Sequence, residues 1–242
     1  MNAKLIKDGL GHLERYIPFV MPAMSWRFAA EPPRNAIVPE KDSWSCMFLY
    51  IKAVASGKKL CLSADNPGCS GAACYLGFKK TGAGAGSFLA GKEKFKKSVE
   101  LGEAFYKEIN AISSAEEFIV LERTDDLAYD EGQPQVITLW VDAASLSGLV
   151  TLANYDRETN ENVLIPFASG CQSVWTIPYK EQFSSLPRCV VGTMDPAVRA
   201  FLPKETMAFS LPVKRFVELA ENIKGSFLQT DLWKQVVIRP AK

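Results

Sequence analysis

Histidine is nearly missing from this sequence: His12 is the only one in 242 residues. A His-rich metal site therefore cannot be built within one chain. A Ser-His-Asp triad or a Cys-His pair would have to draw on a single imidazole in a helix-forming N-terminal stretch. An excess of charge is missing too. Lys and Arg number 28 against 27 Asp and Glu, for a net charge of +1, which gives nucleic acid no support as a partner. Long apolar runs are absent as well. The stretch 17–24 is short and is interrupted by Pro18 and Pro22, so neither a secretory h-region nor a spanning helix fits. No membrane is expected as a partner. The expected location is cytoplasmic, with the six cysteines reduced rather than paired.

What is present suits an ordinary folded domain. Hydrophobic residues make up 48% of the chain, enough for a sizeable core. No low-complexity linker divides the sequence, so one domain over residues 1–242 is expected. Leu5, Ile6, Leu10 and Leu13 form the stripe of a helix over 2–15. A strand is expected over Met24–Ala29, then a helix capped by Asp42 or Ser43 and stopped by Gly57. Lys59–Ser63 reads as a strand. Asn66-Pro67 reads as a cap and first helical residue, which puts Cys69 in the first helical turn. Further strands are expected at Phe118–Arg123, Gln135–Val141, Val163–Phe167, Arg188–Thr193, Met207–Leu211 and Lys234–Arg239, with helices over Lys92–Ile112, from Asp142 to about Ala153, and over Pro212–Asn222. Together these give an α+β fold, with a mixed sheet of about six strands flanked by helices.

Two stretches stand out for chemistry. Leu60–Phe78 carries Gly68-Cys69, and Ser169–Tyr179 carries Gly170-Cys171, each after a short apolar run. A glycine lets the chain turn sharply, and a helix start after it aims free N–H groups at the sulfur, favouring thiolate over thiol. The shared pattern hints at a pairing of halves, although it is too short to establish a repeat. Cys46, Cys61, Cys74 and Cys189 read as small core residues. Thr81–Gly91 reads as a mobile glycine-rich loop. Its Gly86-x4-Gly91-Lys92 superficially matches a phosphate loop, but Glu93 stands where a magnesium-holding Ser or Thr is needed. The cluster Lys92, Lys94, Lys96, Lys97 and Lys107 reads as the solvated face of a helix.

Gly68-Cys69-Ser70-Gly71-Ala72 with Leu76-Gly77-Phe78 resembles the first signature of domain-of-unknown-function family 169, the archaeal-conserved-region proteins. Ser169-Gly170-Cys171-Gln172-Ser173, Gly192-x2-Asp195-x3-Arg199, and Met207–Pro212 with Phe216 resemble later parts of that pattern in the same order. The resemblance implies no activity, but it singles out Cys69 and Cys171. Gly68, Gly170, Cys69, Cys171, Ser173 and Arg199 are thus the expected cofactor-binding residues, with Cys69 and Cys171 the expected metal ligands. Two thiolates are half of a four-thiolate site, so an iron–sulfur cluster or another metal would need further ligands or a second subunit, as in a homodimer. Two functional readings stand. One is a cysteine-dependent protein that binds a metal, an iron–sulfur cluster or a redox ligand. The other is a non-catalytic small-ligand or interaction module with structural cysteines. Whether the protein is an enzyme stays open, as does its ligand.

Overall fold

The computed structural model of the chain describes all residues except 1–2, 44, 81–83, 109–110, 114–115, 129–131 and 238–242. Eight strands form one sheet: β1 (Met21–Ala29), β2 (Ala36–Ile37), β3 (Lys59–Leu62), β4 (Phe118–Arg123), β5 (Val136–Val141), β6 (Val163–Leu164), β7 (Cys189–Gly192) and β8 (Met207–Pro212). Their order is β2-β3-β4-β1-β5-β8-β7-β6. Only the edge pairs β2–β3 and β6–β7 are parallel. The fold is α+β with a mixed sheet, of eight strands rather than about six; the two-residue edge β2 was not expected, and β6 covers only the first two residues of the expected Val163–Phe167.

The two halves of this sheet are wired identically. In each, the first strand pairs antiparallel with the fourth (β1–β4, β5–β8), and the fourth pairs antiparallel with the third (β4–β3, β8–β7). The third then pairs parallel with the second (β3–β2, β7–β6). Antiparallel β1 and β5 join the halves, Ser25 opposite Ile137. An approximate two-fold axis therefore passes between β1 and β5, perpendicular to the sheet.

Helices cover both faces. On one lie α1 (Ala3–Glu14), α6 (Ala143–Asn154), α9 (Val213–Asn222) and α10 (Asp231–Val237), around Ile6, Leu149, Phe209 and Phe216. On the other lie α2 (Met47–Ala55), α3 (Ser70–Tyr75), a helix over 170–181 and α8 (Pro196–Arg199), around Trp26, Phe48, Trp140 and Trp175. With both faces covered, β5 is buried at every position, which is why Val136–Val141 reads as a continuous apolar run broken only by Thr138. The 170–181 helix carries a π-turn over Gln172–Thr176 before continuing as α7 (Ile177–Glu181). Pro178 has no N–H to offer the preceding turn, and a wide turn just before it accommodates that loss.

Several local expectations give way to tertiary contacts. Asp42 and Ser43 do not cap α2: Asp42 has φ +59° and the helix starts behind Cys46. Asn66 is no cap either, since its side-chain oxygen accepts from Ser63 N at 2.7 Å and its amide donates to Pro39 O. Lys92–Ile112 is not one helix. A short α4 (Ala85–Ser87) and a π-turn over Phe88–Lys92 lead through irregular chain to α5 (Val99–Lys107). The glycines of 85–91 thus build helix. A Cβ on Gly86 would lie 2.6 Å from Glu103 N, and one on Gly102 would lie 2.6 Å from Gly86 O, so α4 and α5 meet backbone to backbone. Residues 81–83 of the expected loop lie outside the described residues. The expected last strand over Lys234–Arg239 is helix as far as Val237, because Trp233 is buried against the core and Lys234 pairs with Asp231. No helix among the described residues is long and apolar enough to cross a membrane.

Gly170 is a close contact among the helices of the second face. A Cβ there would meet Phe48 at 2.5 Å and Val198 at 2.7 Å. Gly170→Ala is expected to lower stability by about 1–3 kcal/mol, seen as a lower urea midpoint. An unchanged midpoint would mean that Phe48 moves aside freely.

Candidate functional site

The repeated wiring decides which residues meet. In the first half, a helix follows β2 (α2, behind Cys46) and another follows β3 (α3, behind Cys69). In the second half, a helix follows β6 (170–181, with Cys171 in its first turn) and another follows β7 (α8, behind Asp195). Cys69 is therefore equivalent to Asp195, and Cys46 to Ser169, with Cys171 two residues further on, inside the helix. The sequence echo between the two Gly-Cys segments aligned Cys69 with Cys171, which the topology does not. Nor do β3 and β6 lie side by side. They sit in opposite halves of the sheet, and the helices after them reach one another across its second face.

At that meeting point the chains touch directly. Ser45 N–H donates to Gly68 O at 3.2 Å. Gly68 has φ +89°, and a Cβ on it would stand 3.0 Å from Ser45 O and 3.2 Å from Met47 Sδ; both features demand glycine. Across the axis, the Asp195 carboxylate accepts from Gly170 N at 3.1 Å and from Ala197 N at 2.9 Å, tying two helix starts together. Asp195 is only 6% exposed. Cys69 Sγ accepts from Ala72 N at 3.4 Å, whereas the sulfur of Cys46 makes no cap hydrogen bond. Cys46 and Cys69 are half-buried and pack against the apolar cluster that contains Cys171, itself buried.

These groups feel one another. Burial pushes the Cys171 thiol well up, and Cys69, Cys46 and Asp195 push it further. Burial also raises Cys46, against the pull of the Phe48 and Leu49 N–H groups, with Cys69 and then Asp195 adding to the rise. On the outer side lie Tyr75, Tyr106 and Glu93. Burial drives the Tyr75 phenol far up, so it stays a neutral donor. Burial raises Tyr106 as well, followed by Glu93, and Glu93 itself rises through burial and the nearby Asp195. The Ser169 hydroxyl lies against the Tyr75 phenol but finds no partner within hydrogen-bonding limits.

The other expected site residues have different work. Ser173 donates to Gly170 O at 3.0 Å and accepts from Thr193 N at 3.2 Å, holding Thr193 at φ +66°, a strained conformation for a β-branched residue. Arg199 donates to the carbonyls of Thr206 and Lys204, both at 2.5 Å. Its guanidinium is thus held by the 204–206 segment. Both residues brace the turn that positions Asp195. Cys61 and Cys189 are core thiols, pushed up by burial to about 11 and about 12. The lysines of 92–97 do not share a helix face: Lys96 lies 5.2 Å from the Phe105 ring centre and 5.4 Å from that of Phe167.

Cys46 is the residue the sequence left out. Its signal was present, since it precedes the apolar Met47-Phe48 start of α2, but no glycine marks it. Among the described residues no group of three or more His, Cys, Asp or Glu is gathered closely enough to hold a metal ion, so the structure adds no third donor to Cys69 and Cys171. A small cavity of about 10 Å³ lies on the same face among Trp26, Trp140, Trp175 and Ile51. It has room for about one water, and no cysteine lines it.

Residues 22–222 match the domain-of-unknown-function 169 family, described as uncharacterised ArCR. No curated protein and no solved structure matches the chain.

Thiol accessibility gives the site a direct reading. Iodoacetamide at pH 8 is expected to label Cys69 well ahead of Cys171 and Cys189 in the native protein, as followed by peptide mass spectrometry. Equal rates at Cys69 and Cys171 would mean that Cys171 is not sealed beneath the site.

Proposed function

The chain belongs to domain-of-unknown-function family 169, and we propose that it is a cysteine-dependent redox protein, whose thiols at Cys46, Cys69 and Cys171 act on a soft or oxidising ligand. The observation that carries this reading is that the segments bearing three cysteines touch: Ser45 N–H donates to Gly68 O just before Cys46 and Cys69, the buried Asp195 carboxylate accepts from Gly170 N just before Cys171, and all three thiols border one apolar cluster. Thiolate sulfur is the nucleophile in thiol–disulfide exchange, and access decides which thiol reacts first. Half-exposed Cys69 is the entry point in this reading, Cys46 and Cys171 are the neighbouring thiols, and Asp195 with Ser173 and Arg199 keeps the helix starts in place. The buried phenol of Tyr75, with Tyr106 and Ser169 beside it, offers hydroxyl donors to a polar atom of the ligand.

A second reading is a non-catalytic small-ligand module, and one observation favours it: the buried Ser169 hydroxyl, beside the Tyr75 phenol, makes no hydrogen bond of good geometry, so an acceptor on a ligand would satisfy it. The two readings part on one preparation. Protein purified without oxygen is examined for its absorbance spectrum and metal content, and its free thiols are then counted before and after mild oxidation. Reversible loss of thiols that disappears in Cys69→Ser supports the redox reading. Six thiols that persist through oxidation, in a colourless protein, support the ligand module. Visible charge-transfer bands that vanish in Cys69→Ser or Cys171→Ser would instead point to a cluster or metal assembled on these sulfurs.

A further inference from the structure

We infer that Cys46 and Cys69 are the reacting pair of the thiol site, closing to a disulfide on oxidation while Cys171 stays a thiol beneath them. This rests on the redox reading above and names the two sulfurs that carry it.

Three observations select this pair. The segments bearing the two residues are joined one position upstream by the Ser45 N–H to Gly68 O hydrogen bond of 3.2 Å. The chain at Gly68 also lies in contact with Ser45 O and Met47 Sδ. Cys46 and Cys69 each follow this contact by one residue, and Cys69 is among the groups that Cys46 feels; a disulfide between them needs α-carbons within roughly 7 Å. Next, the backbones of Cys46 and Cys69 are extended (φ −64°, ψ 135° and φ −117°, ψ 168°), each residue standing outside its helix and half-buried. Cys171 has helical backbone (φ −59°, ψ −41°) and is 7% exposed, so an oxidant reaches the first two sulfurs before the third. The last observation is the equivalence of the halves. At the place of Cys69 the second half has Asp195, whose side chain reaches the N–H of Gly170, the residue before Cys171, at 3.1 Å. A side chain at this position thus crosses to the start of the neighbouring helix in its own half. For Cys69 that neighbour is the start of α2, where Cys46 stands.

The step balances with diamide, an azo compound, as two-electron oxidant. Cys69 gives up its proton and its sulfur attacks one nitrogen, forming an S–N bond while the other nitrogen takes a proton. The Cys46 sulfur, its proton lost, then attacks Cys69 Sγ. The S–S bond forms, the S–N bond breaks, and the hydrazine leaves with the second proton. Both electrons come from the two thiols and end in the reduced N–N unit.

The test uses the full chain, reduced, freed of reductant, treated with diamide and blocked with iodoacetamide. Non-reducing digestion and mass spectrometry then map any linkage, alongside a free-thiol count. Wild type is expected to fall from its six thiols by two, with a linked peptide pair containing Cys46 and Cys69. Cys46→Ser and Cys69→Ser are each expected to lose none, and Cys171→Ser is still expected to lose two. A Cys69–Cys171 linkage would overturn this pairing and leave the redox reading standing. No thiol loss in wild type would bring down both. The wild-type map decides the matter even if a serine variant fails to fold.

Discussion

The antiparallel pairing of β1 with β5 is the constraint on which the rest depends. Each strand heads a four-strand unit wired in the same way, so joining the two heads fixes where everything that follows must go. Helices that leave the second and third strands of each unit on the second face are carried toward the axis from both sides. Four helix starts arrive at one place, and the residues before or at those starts are Cys46, Cys69, Cys171 and Asp195. Convergence is thus a consequence of sheet topology, and it needs no long-range attraction between the groups that meet.

Glycine and hydroxyl groups do the fine positioning. Gly68, Gly170 and Gly192 stand where a Cβ would strike Ser45 O, Phe48 and Ser173 Oγ respectively. Each is a point of close approach, and interiors tolerate little added volume there. Ser173 sits between Gly170 O and Thr193 N, so the strained turn after β7 and the start of the 170–181 helix move as one piece. Arg199 closes that turn from outside through two carbonyls. The family-like motifs around Ser169–Ser173 and Gly192–Arg199 are largely the parts of this brace.

Much of this was legible in the sequence, for physical reasons that differ by element. Strands such as Phe118–Arg123 and helices such as α6, capped by Asp142 on Ser145 N at 2.8 Å, follow from local pattern and capping chemistry. The Gly-Cys dipeptides pointed to Cys69 and Cys171 because positive φ and close approach leave a glycine signature. Cys46 left none, since its extended backbone suits any residue and its importance arises only from what lies across the axis. The repeat was hidden for the same reason. Its halves share strand order and not residues, with a thiol in one half answering a carboxylate in the other. At 92–98 and 234–237, helical spacing and Val-Val alternation misled because packing of Gly86 on Gly102 and burial of Trp233 override local preference.

The choice of residue at these helix starts bears on what the site is for. Asp, Ser, Thr or Asn at such a position stabilises a helix by about 0.5–2 kcal/mol relative to alanine, and Asp195 behaves that way with two N–H donors at 2.9 and 3.1 Å. Sulfur is a weak acceptor. Cys69 has one long contact at 3.4 Å and Cys46 has no cap hydrogen bond. Stability alone would place an oxygen-bearing side chain at both positions. Burial alone would explain Cys171, which is enclosed and packs as a small apolar group, just as it explains Cys61 and Cys189. It does not explain two half-exposed thiols on chains that touch, each occupying a cap that it fills poorly. That pair is where the demands of folding and the composition of the site diverge, and it is this divergence that the proposed redox reading accounts for.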